Sequence, residues 1–269
     1  MRTSSSELKK RARQALKGNY GLCVGAQCVL FGIVLVIVAI YIGIAISLEL
    51  IKSMGTGYHS IIPFLEVGGV IGYLALLPLY NLLGVGLLKL YLNLSTGQPA
   101  SLSDLLFSFK NRPWRFVGLY FINIGIELLW GIPCIVVFAV AIITNLPMMV
   151  ILAVLMYFLW IIGALITMLY LAQTVFILID NPEKGVFKSI KESAGMMKGH
   201  KGRLFYLYIS FIGIFLLGYA SAGIGFLWAL PYIQCTQVQF YLDLKAEQEP
   251  AYVEEDSFKS VWNEEQQQL

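Results

Sequence analysis

Glu127 lies near the middle of an apolar run, residues 115–142, with Asn123 one helical turn before it and Pro133 after it. An ionisable group at that depth in a bilayer is costly, and such groups mark ion or substrate paths by default. Two chemistries fit. One is a proton- or cation-coupling site with Asn123 as its polar neighbour. The other is a hydrogen-bonded carboxyl that joins helices through Gln27, Asn81 or Gln173. A second concentration of chemistry is Lys198, His200, Lys201 and Arg203, interleaved with Gly199 and Gly202. Exposed glycine N–H groups and cations just ahead of an apolar segment suit a lipid phosphate, and they equally suit a topology anchor behind a helix end. Gln234, Gln237 and Gln239 mark a polar face that ends near Asp243, fit for interhelical hydrogen bonds or for lining a pore.

The remaining reactive groups are sparse. His59 and His200 are the two histidines, and they fall on opposite sides of the membrane in the topology derived below, so no His-based metal site is expected. Cys23, Cys28, Cys134 and Cys235 all sit in apolar segments without a C-x-x-C spacing, which reads as packing. No G-x-S-x-G, H-E-x-x-H or P-loop pattern occurs. The sequence therefore implies no catalytic residue, no metal and no cofactor. Asp180 reads as a helix-boundary residue, and Trp114, Trp130, Trp160 and Trp228 as interface anchors or lipid-facing packing.

The elements that must position these residues are membrane spans. Hydrophobic residues make up 58% of the chain and charged residues 13%, too apolar for a soluble domain of this length to bury. Six spans are expected, at 22–48, 67–92, 115–142, 148–178, 204–221 and 226–244, giving an all-α polytopic bundle of three hairpins. The apolar run 22–48 is too long for a cleaved signal and is read as a first span. The fourth span, at 1.5 Å per residue, measures about 46 Å and must tilt or project. The last two spans divide at Gly223-Ile224-Gly225, where two glycines permit a tight turn; a single span over 204–233 is the alternative. With this division, 18 of the 19 Lys and Arg residues fall on one side and Lys52 alone on the other. The positive-inside rule then places both termini in the cytoplasm.

Short amphipathic helices are expected ahead of each hairpin, lying at the interface. Ser4 and Glu7 form an S-x-x-E capping box before a stripe of Leu8, Ala12 and Leu16. Ser101 and Asp104 start a second helix with Leu102, Leu105, Leu106 and Phe109 as its stripe. Asn181 caps a third with Pro182 at its first position, and Val186, Phe187, Ile190, Ala194 and Met197 recur at helical spacing until Gly199. The domain plan is thus an N-terminal helix over 1–20, a membrane domain over 21–246 and an acidic tail over 247–269. The tail has the composition of a disordered segment, with Phe258 and Trp262 four residues apart as a possible binding face.

The chain resembles the bacterial family known as domain of unknown function 975. The residues that carry the likeness are Glu7-Leu8-Lys9, Ala15-Leu16-Lys17-Gly18-Asn19-Tyr20, Asp180-Asn181-Pro182 and the run Met197 to Phe205. Ser210-Phe211-Ile212-Gly213, Gly223-Ile224-Gly225, Leu230-Pro231-Tyr232 and Phe240-Tyr241 complete it. The resemblance implies a multi-span protein of the bacterial plasma membrane and brings no activity, substrate or cofactor. The expected function is non-enzymatic. Helices on the cytoplasmic face would organise anionic lipid, a membrane-protein partner or a second copy of the chain. The alternative is a small permease with Glu127 in its path. The clustered, discontinuous basic residues, at a net charge of +3, do not suit nucleic acid.

Overall fold

Three helical hairpins, each preceded by a short helix, make up the computed structural model, which describes residues 3–53, 62–144 and 146–248. His59, Asn145 and the expected acidic tail with Phe258 and Trp262 lie outside the described residues. The first short helix is α1 (Ser5–Leu16), where the Ser4 hydroxyl accepts from the Glu7 N–H at 3.2 Å. Its stripe of Leu8, Ala12 and Leu16 is fully buried, as the spacing requires. The first hairpin is α2 (Tyr20–Ser53) with α3 (Ile62–Ser95). A 3₁₀ turn (Leu102–Leu106) and α4 (Phe107–Lys110) lead to the second hairpin, α5 (Pro113–Thr144) with α6 (Pro147–Leu171). Then come α7 (Thr174–Asp180) and α8 (Val186–Met196), and last α9 (Lys201–Ile209), α10 (Ile212–Ala220) and α11 (Phe226–Gln248).

Several expected elements are reshaped by their partners. The segment after Ser101 keeps its start, with the Asp104 carboxylate accepting the Ser101 N–H at 3.0 Å, but it folds as a 3₁₀ turn plus one turn of α-helix. Only Leu105 of its expected stripe is buried, because Leu105 lands on Gly86 of α3, while Leu102, Leu106 and Phe109 stay exposed. Asn181 does not cap α8. It ends α7, donating to the Ile177 carbonyl at 3.2 Å, and α8 begins four residues after Pro182 with Gly185 as its cap. The buried face of α8 is Ser189, Ser193 and Met196, with Met197 just beyond its end, whereas Phe187 points outward. Ser193 explains this, since its hydroxyl donates to the Tyr170 carbonyl at 2.7 Å and accepts the Gln173 N–H at 3.2 Å. That bond satisfies the backbone where the long fourth span breaks, between α6 and α7. The fifth span also breaks, at Ser210-Phe211. The turn between α10 and α11 falls where the glycines predict it, with Ala222 (φ +53°) and Gly223 (φ +89°) both left-handed.

The core sits at one end of the molecule. Leu8 to Leu30, Leu82 to Leu119, Leu169 to Phe211 and Ala229 to Leu244 supply nearly all the buried side chains, and the outer parts of α2, α3, α5 and α6 are exposed apolar surface. This end carries every described Lys and Arg except Lys52. Lys52, at the far end, pairs with Glu49 at 2.8 Å and Glu66 at 2.6 Å. The third hairpin is the shallow one. Cys235 of α11 meets Ser95 of α3 at 3.4 Å, and nine residues of α11 precede it, about 14 Å of helix. From the same contact, the 34 residues of α3 run back about 50 Å.

Candidate functional site

The ionic groups of the basic end converge on α11. Asp243 takes an ion pair from Arg203 and a hydrogen bond from the Thr3 hydroxyl. Glu247, one turn later, lies 3.4 Å from Arg203 Nη1 and 3.5 Å from His200 Nε2. The Arg203 guanidinium also stands over the Phe240 ring at 5.0 Å. On the other side of α11, Asp180 accepts from the Tyr241 hydroxyl at 2.8 Å and from Lys245 at 2.9 Å, and Phe176 stacks on Tyr241. A single helix thereby ties together the segment before α1, the start of α9 and the end of α7. The Arg203 and Asp243 side chains are only 14% and 9% exposed, so their attraction acts in a low dielectric.

This arrangement divides the expected cationic cluster. Arg203 and His200 face α11, Lys201 lies 3.2 Å over the Tyr170 ring, and Lys198 is exposed to solvent. Arg115 is similarly committed, donating to the Asn181 and Lys184 carbonyls at 3.3 and 3.1 Å and so shaping the turn before α8. Lys9 reaches the Ser210 carbonyl at 3.3 Å and the Phe211 ring at 4.5 Å. Burial there, and the neighbouring Arg13 charge, pull the Lys9 ammonium below its ordinary value.

Glu127 is not where the hydrogen-bonding reading puts it. Its side chain is half-buried on α5 and makes no hydrogen bond or ion pair among the described residues; Asn123 likewise has no partner. Gln27 and Gln173 are buried far from that role, Gln173 against Met197 at 3.6 Å. The glutamines of α11 also make no side-chain hydrogen bond among the described residues, so the expected interhelical use of that face is not seen. Sequence reasoning missed the pairing of Arg203 with Asp243 and of Asp180 with Lys245. The signal was present as lone acidic residues at helix ends in otherwise apolar sequence, opposite an excess of cations. Among the described residues no group of three or more His, Cys, Asp or Glu is placed to hold a metal.

Two grooves open onto the apolar surface. One, of about 710 Å³, runs between α5 and α6 and is lined by Phe138, Tyr157 and Trp160 among others. The second, of about 520 Å³, lies between the end of α1, the start of α2 and the third hairpin.

Taken together, the described residues form an all-helical fold with five helices long and apolar enough to cross a membrane: α2, α3, α5, α6 continued through α7, and α9 continued through α10. The helix expected as the sixth span, α11, is long enough, but its glutamines and Asp243 leave it less apolar. The chain belongs to the family described as protein of unknown function DUF975, which it matches over residues 1–248. Comparison with curated proteins and with solved structures finds no match.

Proposed function

We propose that the protein is a non-enzymatic component of a bacterial plasma membrane that gathers anionic lipid at its cytoplasmic face. The observation that carries this reading is the uneven distribution of uncompensated charge. At the core end, Arg13, Lys17, Lys110, Lys188, Lys191 and Lys198 are exposed and make no ion pair among the described residues. At the far end the one described cation is held by two carboxylates. Each near-surface cation draws anionic lipid by about 1 kcal/mol, so the core end attracts such lipid and the far end does not. The same asymmetry supports cytoplasmic termini through the positive-inside rule.

The test replaces Lys188, Lys191 and Lys198 with Gln and measures the phosphatidylglycerol retained through purification. All three are exposed, so the fold has little to lose. Retention should fall while insertion is unchanged, and equal retention by variant and parent removes the support for this reading.

A second reading, a small permease, is favoured by Glu127, which has no partner within the described chain. A carboxyl left open can exchange a proton or hold a substrate cation. It predicts that Glu127→Gln abolishes a pH-dependent transport phenotype without loss of folded protein.

A further inference from the structure

We infer that the groove between α1, α2 and the third hairpin is a binding site for one anionic phospholipid, with Arg13 as its phosphate ligand. The inference rests on the lipid-gathering reading and gives it a specific seat. Three features converge in this groove. Its polar side carries Arg13 and the phenol rings of Tyr20 and Tyr232, and its apolar side is Ile214, Leu217 and Trp228. No acidic residue is among its lining residues. Arg13 is exposed and makes no ion pair or hydrogen bond among the described residues, unlike Arg11, which reaches Glu7 at 3.6 Å. The hydroxyls of Tyr20 and Tyr232 also have no hydrogen-bond partner among the described residues.

A guanidinium with its donors free, beside two phenolic O–H donors, matches the acceptor oxygens of a phosphodiester. The apolar wall continues outward from these groups. Leu217 is 71% exposed and Trp228 53% exposed, so the groove opens sideways onto the surface that lipid covers. Trp and Tyr concentrate at the depth where headgroups meet acyl chains, and Tyr20, Trp228 and Tyr232 all line this groove. A volume of about 520 Å³ accommodates a headgroup and the first part of its chains, leaving the rest of the lipid in the bilayer.

The groove is distinct from the cluster at Lys198 to Arg203, whose strongest cation is spent on Asp243. It also explains the placement of Lys9. That residue is held against Ser210 and Phe211 and fixes α1 beside the third hairpin, so that Arg13, four residues on, faces the groove.

The experiment is native mass spectrometry of the full chain in detergent, titrated with equimolar phosphatidylglycerol and phosphatidylcholine. One phosphatidylglycerol should be retained in preference to phosphatidylcholine. Arg13→Gln should weaken that retention about fivefold, the equivalent of about 1 kcal/mol for one near-surface charge. Arg13→Lys should restore most of it, and Tyr232→Phe, which keeps the ring, should give a smaller loss. Arg13 is exposed, so melting temperatures should match the parent. If Arg13→Gln retains phosphatidylglycerol like the parent while the Lys188, Lys191 and Lys198 triple variant does not, the groove assignment is wrong and the lipid-gathering reading stands. If parent protein holds both lipids equally, the two fail together. Displacement of the bound lipid by inorganic phosphate at constant ionic strength would make this a free-anion site and overturn the proposal.

Discussion

Gly86→Ala should destabilise the protein although alanine is the better helix former. Gly86 lies inside α3, where the 3₁₀ turn crosses it, and a methyl group there would stand 2.5 Å from the Leu105 carbonyl carbon and 2.6 Å from its Cα. Both are backbone atoms, so no rotamer change relieves the clash, and the turn must retreat by about 1 Å to restore normal carbon contacts of about 3.5 Å. Retreat loosens Leu105, now 5% exposed, and the bond from the buried Ser108 hydroxyl to the Leu82 carbonyl. Overpacking of this kind costs about 1–3 kcal/mol, and a weakened buried hydrogen bond adds about 1 kcal/mol. Helix propensity returns about 1 kcal/mol, leaving a net loss of about 1–3 kcal/mol. Gly84→Ala is the internal control: a methyl group there meets nothing within 4 Å, so it should be neutral or stabilising by up to about 1 kcal/mol. Thermal unfolding of the two variants in the same detergent reads the difference directly. Equal melting temperatures for the pair would refute the close approach of the 3₁₀ turn to α3.

Asp243→Asn should cost about 3 kcal/mol, because it leaves the largely buried Arg203 with Glu247 as its one counter-charge among the described residues. The double variant Arg203→Met with Asp243→Leu should recover part of that loss in the same melting assay, and no recovery would mean that the charges themselves hold α9 to α11. Glu127→Gln and Glu127→Leu should both melt within about 0.5 kcal/mol of the parent, since neither removes a bond made within the described chain; a large drop for Leu alone would reveal a partner. For orientation, single cysteines at Lys191 and Ser53 in a background without native cysteines should respectively resist and accept a membrane-impermeant thiol reagent in intact cells. The reverse pattern would invert the topology.

The long helices, the stripe of α1 and the glycine turn before α11 were legible because each depends on local pattern: apolar length, helical spacing, and a backbone position that favours glycine. The start of α8 was not. Asn181-Pro182 carries a helix-start signal, but Arg115, far away in sequence, binds the carbonyls of Asn181 and Lys184 and shapes a turn there instead. Periodicity also misjudged the face of α8, because apolar spacing takes no account of Ser193, whose hydroxyl closes the break between α6 and α7. The polar site divided in the same way. That Glu127 is out of place could be read from its apolar setting, while the absence of a bond to Gln27, Asn81 or Gln173 depends on which helices meet. The cations after Gly199 were recognisable as a group, but their assignment to α11 required the hairpin to close and bring Arg203 to Asp243.

The shallow third hairpin makes the molecule unequal in girth. Near the basic end all three hairpins and the short helices share the cross-section, but beyond the turn at Ala222-Gly223 only α2, α3, α5 and α6 continue among the described residues. In a bilayer such a body displaces more area from one leaflet than from the other. Lipids around it must tilt or change packing to fill the difference, and that elastic cost depends on the spontaneous curvature of the surrounding membrane. Two copies placed side by side would share part of the distorted rim, and the shared rim would lower the total cost without any contact between specific residues.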